Sequence, residues 1–241
     1  MPVYFLKRKT VKEESDMRKD IPVYEGKLRK HTLQVPQCIS ECSGIIVFGR
    51  RIKSLVFSTD VAIIKNINAD AVIAVYPFTP QQSIMQAIIG VSDVPVFTGV
   101  GGGMTNGQRS VSMSMFAEHL GAFGVVCNAF ITEETIGQIK RVVEIPVIYT
   151  VVSEQVDIAS RLAAGIDFIN VSCAEKTPDV VASIRARYPQ LPIIATGGPT
   201  EDSIRRTISA GANAITYTPP TNGELFAENM RIHREKFGKL E

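Results

Sequence analysis

Leu191-Pro192-Ile193-Ile194-Ala195-Thr196-Gly197-Gly198-Pro199-Thr200 is a short apolar strand that stops on two glycines and a proline. A helical stretch runs from Glu201 to Ala210, Gly211 stands where a left-handed helix cap is needed, and a second apolar run follows from Ala214 to Tyr217. Two strands joined through one helix form a parallel crossover unit. A glycine pair at the carboxyl end of a buried strand lets backbone approach a ligand closely, because no Cβ intervenes. Thr196, Gly197 and Gly198 are therefore candidate ligand contacts. If Gly197 serves a ligand, Gly197→Val should weaken binding far more than stability, since strands tolerate valine.

Working outward, the same unit recurs along the chain. Ser54–Phe57 reads as the first strand, with a short helix over 61–66 capped by Thr59 or Asp60. Strands follow over 71–76, 94–98, 123–127, 147–151 and 168–171, with helices over 80–89, 108–120, 133–143, 154–164 and 178–187. A last helix covers 224–237. The strands are continuous apolar runs rather than alternating ones, as expected when both faces are covered. Eight strand–helix units with a repeat of roughly 25 residues close an α/β barrel, (β/α)8, within one domain. An open doubly wound sheet is the alternative, but no G-x-G-x-x-G opens the first helix.

Residues 1–42 break this rhythm, with charge clusters, Pro22 and Pro36 among short apolar patches. They read as an amino-terminal extension lying outside the barrel, a candidate contact for a homo-oligomer. Residues 43–58 contain Ile45-Ile46-Val47-Phe48, a Gly49-Arg50-Arg51 break and then Ile52, which suggests a hairpin or end-plug leading into the first barrel strand. The domain division is thus 1–42 and 43–241.

Composition narrows the function classes. The net charge of +2 gives no field for nucleic acid or an anionic membrane. The first forty residues hold nine Lys/Arg and five Asp/Glu, +4, which leaves 17 against 19, or −2, for the rest. No apolar run nears the ~20 residues that span a bilayer, and the first charges follow an apolar patch, the reverse of a signal peptide, so a cytoplasmic protein is expected. Cys38, Cys42, Cys127 and Cys173 show no paired spacing, so no metal site is expected, and they read as core thiols.

In such a barrel, chemistry sits where strands end. The strand ends carry Ser58-Thr59-Asp60, Tyr76-Pro77-Phe78, Asn128, Thr150, Asn170-Ser172, Thr196 and Thr216-Tyr217-Thr218, a set rich in hydroxyls and amides. Asp60 is a candidate general base or ligand anchor, with helix capping as its alternative role. Asn128 and Asn170 are candidate polar contacts in the mouth. Lys176 offers a cation for a phosphate or carbonyl, against a solvated role beside Glu175. Gly101-Gly102-Gly103, with Arg109 beyond, reads as a lid or an anion nest, against a disordered loop. Glu154 reads as a first-turn helix acid. His31, His119 and His233 all lie away from strand ends.

The stretch Ile193 to Thr200, with Ile204, Ala210-Gly211-Ala212 and Ala214-Ile215, resembles the closing half of the ribulose-phosphate-binding TIM barrels. That group includes the N-acetylmannosamine-6-phosphate epimerases and indole-glycerol-phosphate synthases, and flavin-mononucleotide (FMN) barrels carry a similar glycine turn. The whole chain is also similar to small barrels that carry only the general label hydrolase. The resemblance implies a small phosphorylated ligand held by the loops after the seventh and eighth strands, with FMN oxidoreduction as an alternative. The scarcity of acids and bases at the strand ends and the +4 of the first forty residues favour a further alternative, a non-catalytic sensor. The resemblance does not fix whether the reaction is hydrolysis, isomerisation or a lyase step, and it requires no cofactor. One departure is plain: the turn after strand eight reads Thr218-Pro219-Pro220-Thr221, and prolines donate no hydrogen bond. The Thr218 and Thr221 hydroxyls and the helix start at Asn222 would have to take the place of the missing donors.

Overall fold

A computed structural model of the chain describes residues 33–237. Its strands are β1 (Ile45–Val47), β2 (Arg50–Ile52), β3 (Ser54–Phe57), β4 (Ala71–Ala74), β5 (Val96–Gly99), β6 (Gly124–Cys127), β7 (Val147–Val151), β8 (Phe168–Val171), β9 (Ile193–Thr196) and β10 (Ala214–Tyr217). β3 to β10 are parallel and form a closed barrel in which β10 returns to β3. The helices are α1 (Val61–Lys65), α2 (Gln82–Val91), α3 (Gln108–His119), α4 (Glu133–Val142), α5 (Ile158–Ala164), α6 (Thr177–Arg187), α7 (Glu201–Ser209) and α8 (Asn222–Phe237). The chain is an α/β (β/α)8 TIM barrel.

Local chemistry sets the helix bounds. Asp60, Thr132, Asp157 and Thr200 each accept backbone N–H groups of the first turn of α1, α4, α5 and α7. Gly165 ends α5 at φ +113°, and Gly211 follows α7 at φ +109°. α5 begins four residues later than the sequence pattern suggests, because Asp157 rather than an earlier residue caps it. Glu154 therefore lies in the loop before α5 and is not a first-turn helix acid.

The expected end-plug is present. β1 and β2 pair antiparallel, with Ile45 opposite Ile52 and Val47 opposite Arg50. Ile45, Val47 and Ile52 are buried against Leu55, Phe97, Ile194 and Ala214 inside the barrel. Ile52 lies just before β3, so the hairpin closes the end where strands begin and leaves the carboxyl end for a ligand. In residues 33–42, Leu33 bridges to Ile67, and Cys38, Ile39 and Cys42 are buried in the core that includes Ile204 of α7. The remainder of the proposed extension, 1–32, lies outside the described residues.

The plugged end is also stapled through side chains. Asp70, Asp167 and Asn213 each stand one residue before an even-numbered strand and accept backbone N–H groups from the neighbouring odd-numbered one. Asn213 Oδ1 takes Ile193 N–H at 2.9 Å and Arg185 Nη2 at 2.6 Å, while its Nδ2 donates to Ser43 Oγ at 2.9 Å. Asn213→Ala should cost about 1–2 kcal/mol, because it strands the Ile193 N–H and leaves the guanidinium short of an acceptor. Urea unfolding reads this as a lower midpoint at unchanged slope.

Side-chain alternation and strand register stack the barrel interior in layers of four, as in barrels of this kind. Ala71, Gly124, Phe168 and Ala214 lie nearest the plug, and Leu55, Phe97, Ile148 and Ile194 come next. Ile73, Val126, Asn170 and Thr216 form the third layer, and Phe57, Gly99, Thr150 and Thr196 stand above it at the mouth. β3 to β6 thus present an apolar half, and β7 to β10 a half of amides and hydroxyls.

Candidate functional site

The β9–β10 side of the mouth, at Thr196 and Thr216, opens into a cleft of about 1160 Å³ between the loops after those two strands. Thr196, Gly198, Thr200, Thr216, Thr218 and Thr221 all line it, together with Pro36 from the amino-terminal segment and Leu225 from α8. The size suits a small-molecule site. Two of its walls are helix starts, where backbone N–H groups lack intrahelical partners.

Those two helix starts differ in what remains free. At α8, Glu224 accepts from the Thr221 backbone N–H at 2.7 Å and from its hydroxyl at 2.8 Å, and the Thr221 hydroxyl accepts from Glu224 N–H at 3.2 Å. The backbone hydrogen bond from Thr221, then the hydroxyl one, hold the Glu224 carboxyl below its ordinary pKa. Thr221 is thus engaged within its own chain. At α7, Thr200 and Ser203 form a reciprocal capping box that uses the N–H groups of both residues. The N–H groups of Glu201 and Asp202 have no backbone or side-chain acceptor among the described residues. The carboxylates on the cleft wall are likewise engaged: Glu201 lies 3.1 Å from Arg205 and Glu228 lies 2.6 Å from Arg231.

Gly197 and Gly198 play different parts. Gly198 has φ +77° and borders the cleft. Gly197 is buried, alternates with inward-facing Thr196, and carries no side chain because Ile204 of α7 and Ile215 of β10 close over it. A Cβ there would stand 2.8 Å from a side-chain carbon of each. Its requirement comes from helix–strand packing, which corrects the expectation that valine would be tolerated at this position.

The triple-glycine loop is packed against its neighbours at Gly101 and Gly102. Gly101 and Gly102 are buried. Asn128, one residue past β6, donates its amide to the Gly101 carbonyl, to Gly103 O at 3.3 Å and to Thr105 O at 3.2 Å, while its Oδ1 accepts from Phe130 N–H. A Cβ on Gly102 would overlap the Phe78 carbonyl and stand 2.6 Å from Tyr76 O, so this loop also lies on the turn after β4. Arg109 lies exposed in the first turn of α3. Asn128 therefore clips the loop after β5 to the loop after β6, and its amide is already occupied.

Two of the remaining charged candidates are engaged as well. Asp60 Oδ1 accepts from Ala62 N–H at 2.8 Å and Ile63 N–H at 3.2 Å, its capping role. Lys176 lies 3.2 Å from Glu154, both exposed. The thiols are buried or half-buried, and burial pushes Cys42 and Cys127 up to about 12, where they are unreactive at neutral pH. Asn170 differs from all of these. It is 8 % exposed, Thr216 is 5 % exposed, and neither Asn170 Oδ1 nor Thr216 Oγ1 has a hydrogen-bond partner among the described residues. The sequence marks Thr216 as a strand-end residue only. The signal that singles it out is parity, since Ala214 and Thr216 share the inward face.

Comparison with known proteins places the fold. No protein-family model matches the chain, and no curated protein matches it. Among solved structures, the chain is similar to a phosphonomutase from Burkholderia cenocepacia at a TM-score of 0.57 and 14 % identity, covering 77 % of this chain and 92 % of that one. It is similar to a phosphonopyruvate hydrolase, in a complex with oxalate and Mg++, at 0.58 and 14 %, covering 81 % and 84 %. A glycerol uptake operon antiterminator-related protein from Thermotoga maritima aligns at 0.51 and 17 %, covering 68 % and 93 %. These likenesses establish the barrel. Among the described residues no cluster of three or more His, Cys, Asp or Glu side chains is arranged to hold a metal ion, and no helix is long and apolar enough to cross a membrane.

Proposed function

We propose that this chain is an enzyme that binds a small phosphorylated metabolite in the cleft between the β9 and β10 loops and turns it over there. The observation that carries the reading is the cleft itself. It runs from a helix start with two uncommitted N–H groups, at Glu201 and Asp202, to Thr196 and Thr216 on the barrel interior. A phosphate fits the α7 end, where the N–H groups and the helix dipole favour negative charge. Gly198 allows close approach there, and the wall carboxylates are already paired. The likeness of Ile193 to Thr200 to ribulose-phosphate-binding barrels supports the same placement, and the phosphonomutase and phosphonopyruvate hydrolase neighbours are consistent with a phosphorus-bearing small molecule as ligand.

A second reading, binding without turnover, is favoured by one observation. Of the side chains suited to chemistry, Asp60 caps α1, Asn128 clips the glycine loop and Lys176 pairs with Glu154, which leaves Asn170 as a binding group rather than a proton carrier. The antiterminator-related neighbour is consistent with such a regulatory barrel. A panel of phosphomonoesters and their dephosphorylated forms, followed by melting temperature and by phosphorus NMR, separates these readings. Enzyme action predicts that at least one phosphomonoester raises the melting temperature and is converted over hours, while its dephosphorylated form gives neither effect. A shift without conversion selects the sensor. Shifts given by unphosphorylated compounds alone overturn both.

A further inference from the structure

The third layer of the barrel interior is split between chemistries. Ile73 and Val126 fill one side as core residues do, 1 % and 2 % exposed. Asn170 and Thr216 occupy the equivalent positions on β8 and β10, nearly as buried, yet each presents an oxygen that nothing in the described protein satisfies. An unpaired buried polar atom is costly, and native interiors rarely leave two in one layer unless something else completes them. Alternation points both side chains toward the barrel axis. Thr196, the register partner of Thr216, stands above them and lines the cleft.

We infer that the floor of the mouth is a subsite for an uncharged, hydroxyl-bearing end of the ligand. The inference rests on the ligand occupying the β9–β10 cleft, and it adds what the inner end of that ligand must be. Asn170 Oδ1 accepts only, so its partner must donate. Thr216 Oγ1 both donates and accepts, and a hydroxyl satisfies either atom. A carboxylate or phosphate at this depth would lose its hydration with no cation to replace it, because the layer above holds Phe57, Gly99, Thr150 and Thr196 and the layer below is apolar. The apolar half, Ile73 and Val126, faces the carbon skeleton. The ligand class is therefore a polyol or sugar alcohol, entered hydroxyl end first, with its charged group left outside at α7.

The test uses a matched four-carbon set on the full chain: erythritol 4-phosphate, n-butyl phosphate, 4-phosphoerythronate and free erythritol, with affinities from calorimetry. Erythritol 4-phosphate should bind at least tenfold more tightly than n-butyl phosphate, which lacks the hydroxyls, and than 4-phosphoerythronate, which brings a carboxylate to the floor. Thr216→Val keeps the side-chain shape and removes one unpartnered oxygen. It should leave the melting temperature unchanged or raised, and should weaken erythritol 4-phosphate at least fivefold while n-butyl phosphate is unaffected. Equal or tighter binding of the butyl or erythronate compounds, an unchanged Thr216→Val affinity, or no binding of either hydroxylated probe overturns the inference. Free erythritol binding as tightly as its phosphate would sink the phosphate placement at α7 and leave the hydroxyl floor standing.

Discussion

Gly102→Ala should lower the melting temperature by about 6–12 °C, the shift that ~3 kcal/mol of overpacking produces in a chain of this size. The added methyl meets the Phe78 carbonyl and Tyr76 O at 2.6 Å, and both are backbone atoms that no rotamer change can move aside. Relief would require the loops after β4 and β5 to separate. The second of these is held from the other side by Asn128, whose amide reaches the carbonyls of Gly101, Gly103 and Thr105. The loop is therefore caught between two neighbours, and strain at one contact cannot be passed to the other. Gly103→Ala is the control. It is exposed, and its Cβ would stand 3.1 Å from Pro77 O, a contact relieved by a shift of a few tenths of an ångström, so most of its cost is the left-handed φ of +62°, about 1 kcal/mol. Thermal denaturation of the two variants side by side distinguishes the cases. If Gly102→Ala melts within about 2 °C of the parent, the glycine run is an open lid in solution and the packing described above is wrong.

This loop shows where sequence stops being informative. Local signals placed the barrel strands well: Ser54–Phe57, Val147–Val151, Phe168–Val171 and Ala214–Tyr217 fall where the apolar runs put them. Continuous apolar runs, glycine stops and capping residues are properties of a few neighbouring residues, and they are legible one unit at a time. The end-plug was legible for the same reason, since Gly49 breaks two apolar runs at hairpin spacing. What Gly102 or Asn128 touches is set by residues more than twenty positions away, and no local pattern carries that. The plugged-end staples fall between the two. Asn68-Ala69-Asp70-Ala71, Gly165-Ile166-Asp167-Phe168 and Gly211-Ala212-Asn213-Ala214 repeat before alternate strands, while Pro95, Pro146 and Pro192 precede strands between them. That two-strand period was present in the sequence, but its meaning depends on knowing that Asp167 reaches Val147 N–H and Asn213 reaches Ile193 N–H. Similarly, Asn170 and Asn128 look alike as amides at strand ends. The first lies inside the barrel with an unpartnered oxygen, the second just past its strand with both side-chain polar atoms engaged.

Gly197→Val should cost about 2–3 kcal/mol, a fall of roughly 4–12 °C in melting temperature, while the protein that remains folded binds its ligand much as before. This reverses the order expected from a glycine pair at a strand end, where close backbone approach to a ligand would make binding the more sensitive quantity. The reason is the direction of the missing side chain. Thr196 faces the mouth and Gly197 the helix layer, where its Cβ would stand 2.8 Å from both Ile204 and Ile215. Valine would add two further methyl carbons in the same confined space. Its φ lies outside the left-handed region, so the strain is steric crowding of side chains, and Gly197→Ala should recover part of the loss. The cleft wall at this turn is instead Gly198, at φ +77°, whose Cβ would stand 2.7 Å from Ser203 Oγ in the capping box of α7. Gly198→Val should therefore disturb the α7 start and reduce anion affinity together. Melting curves with phosphate-ester affinities measured at about 15 °C, below either transition, check the pair. Normal melting of Gly197→Val with lost binding would place the ligand on Gly197 after all, and would move the phosphate off the α7 helix start.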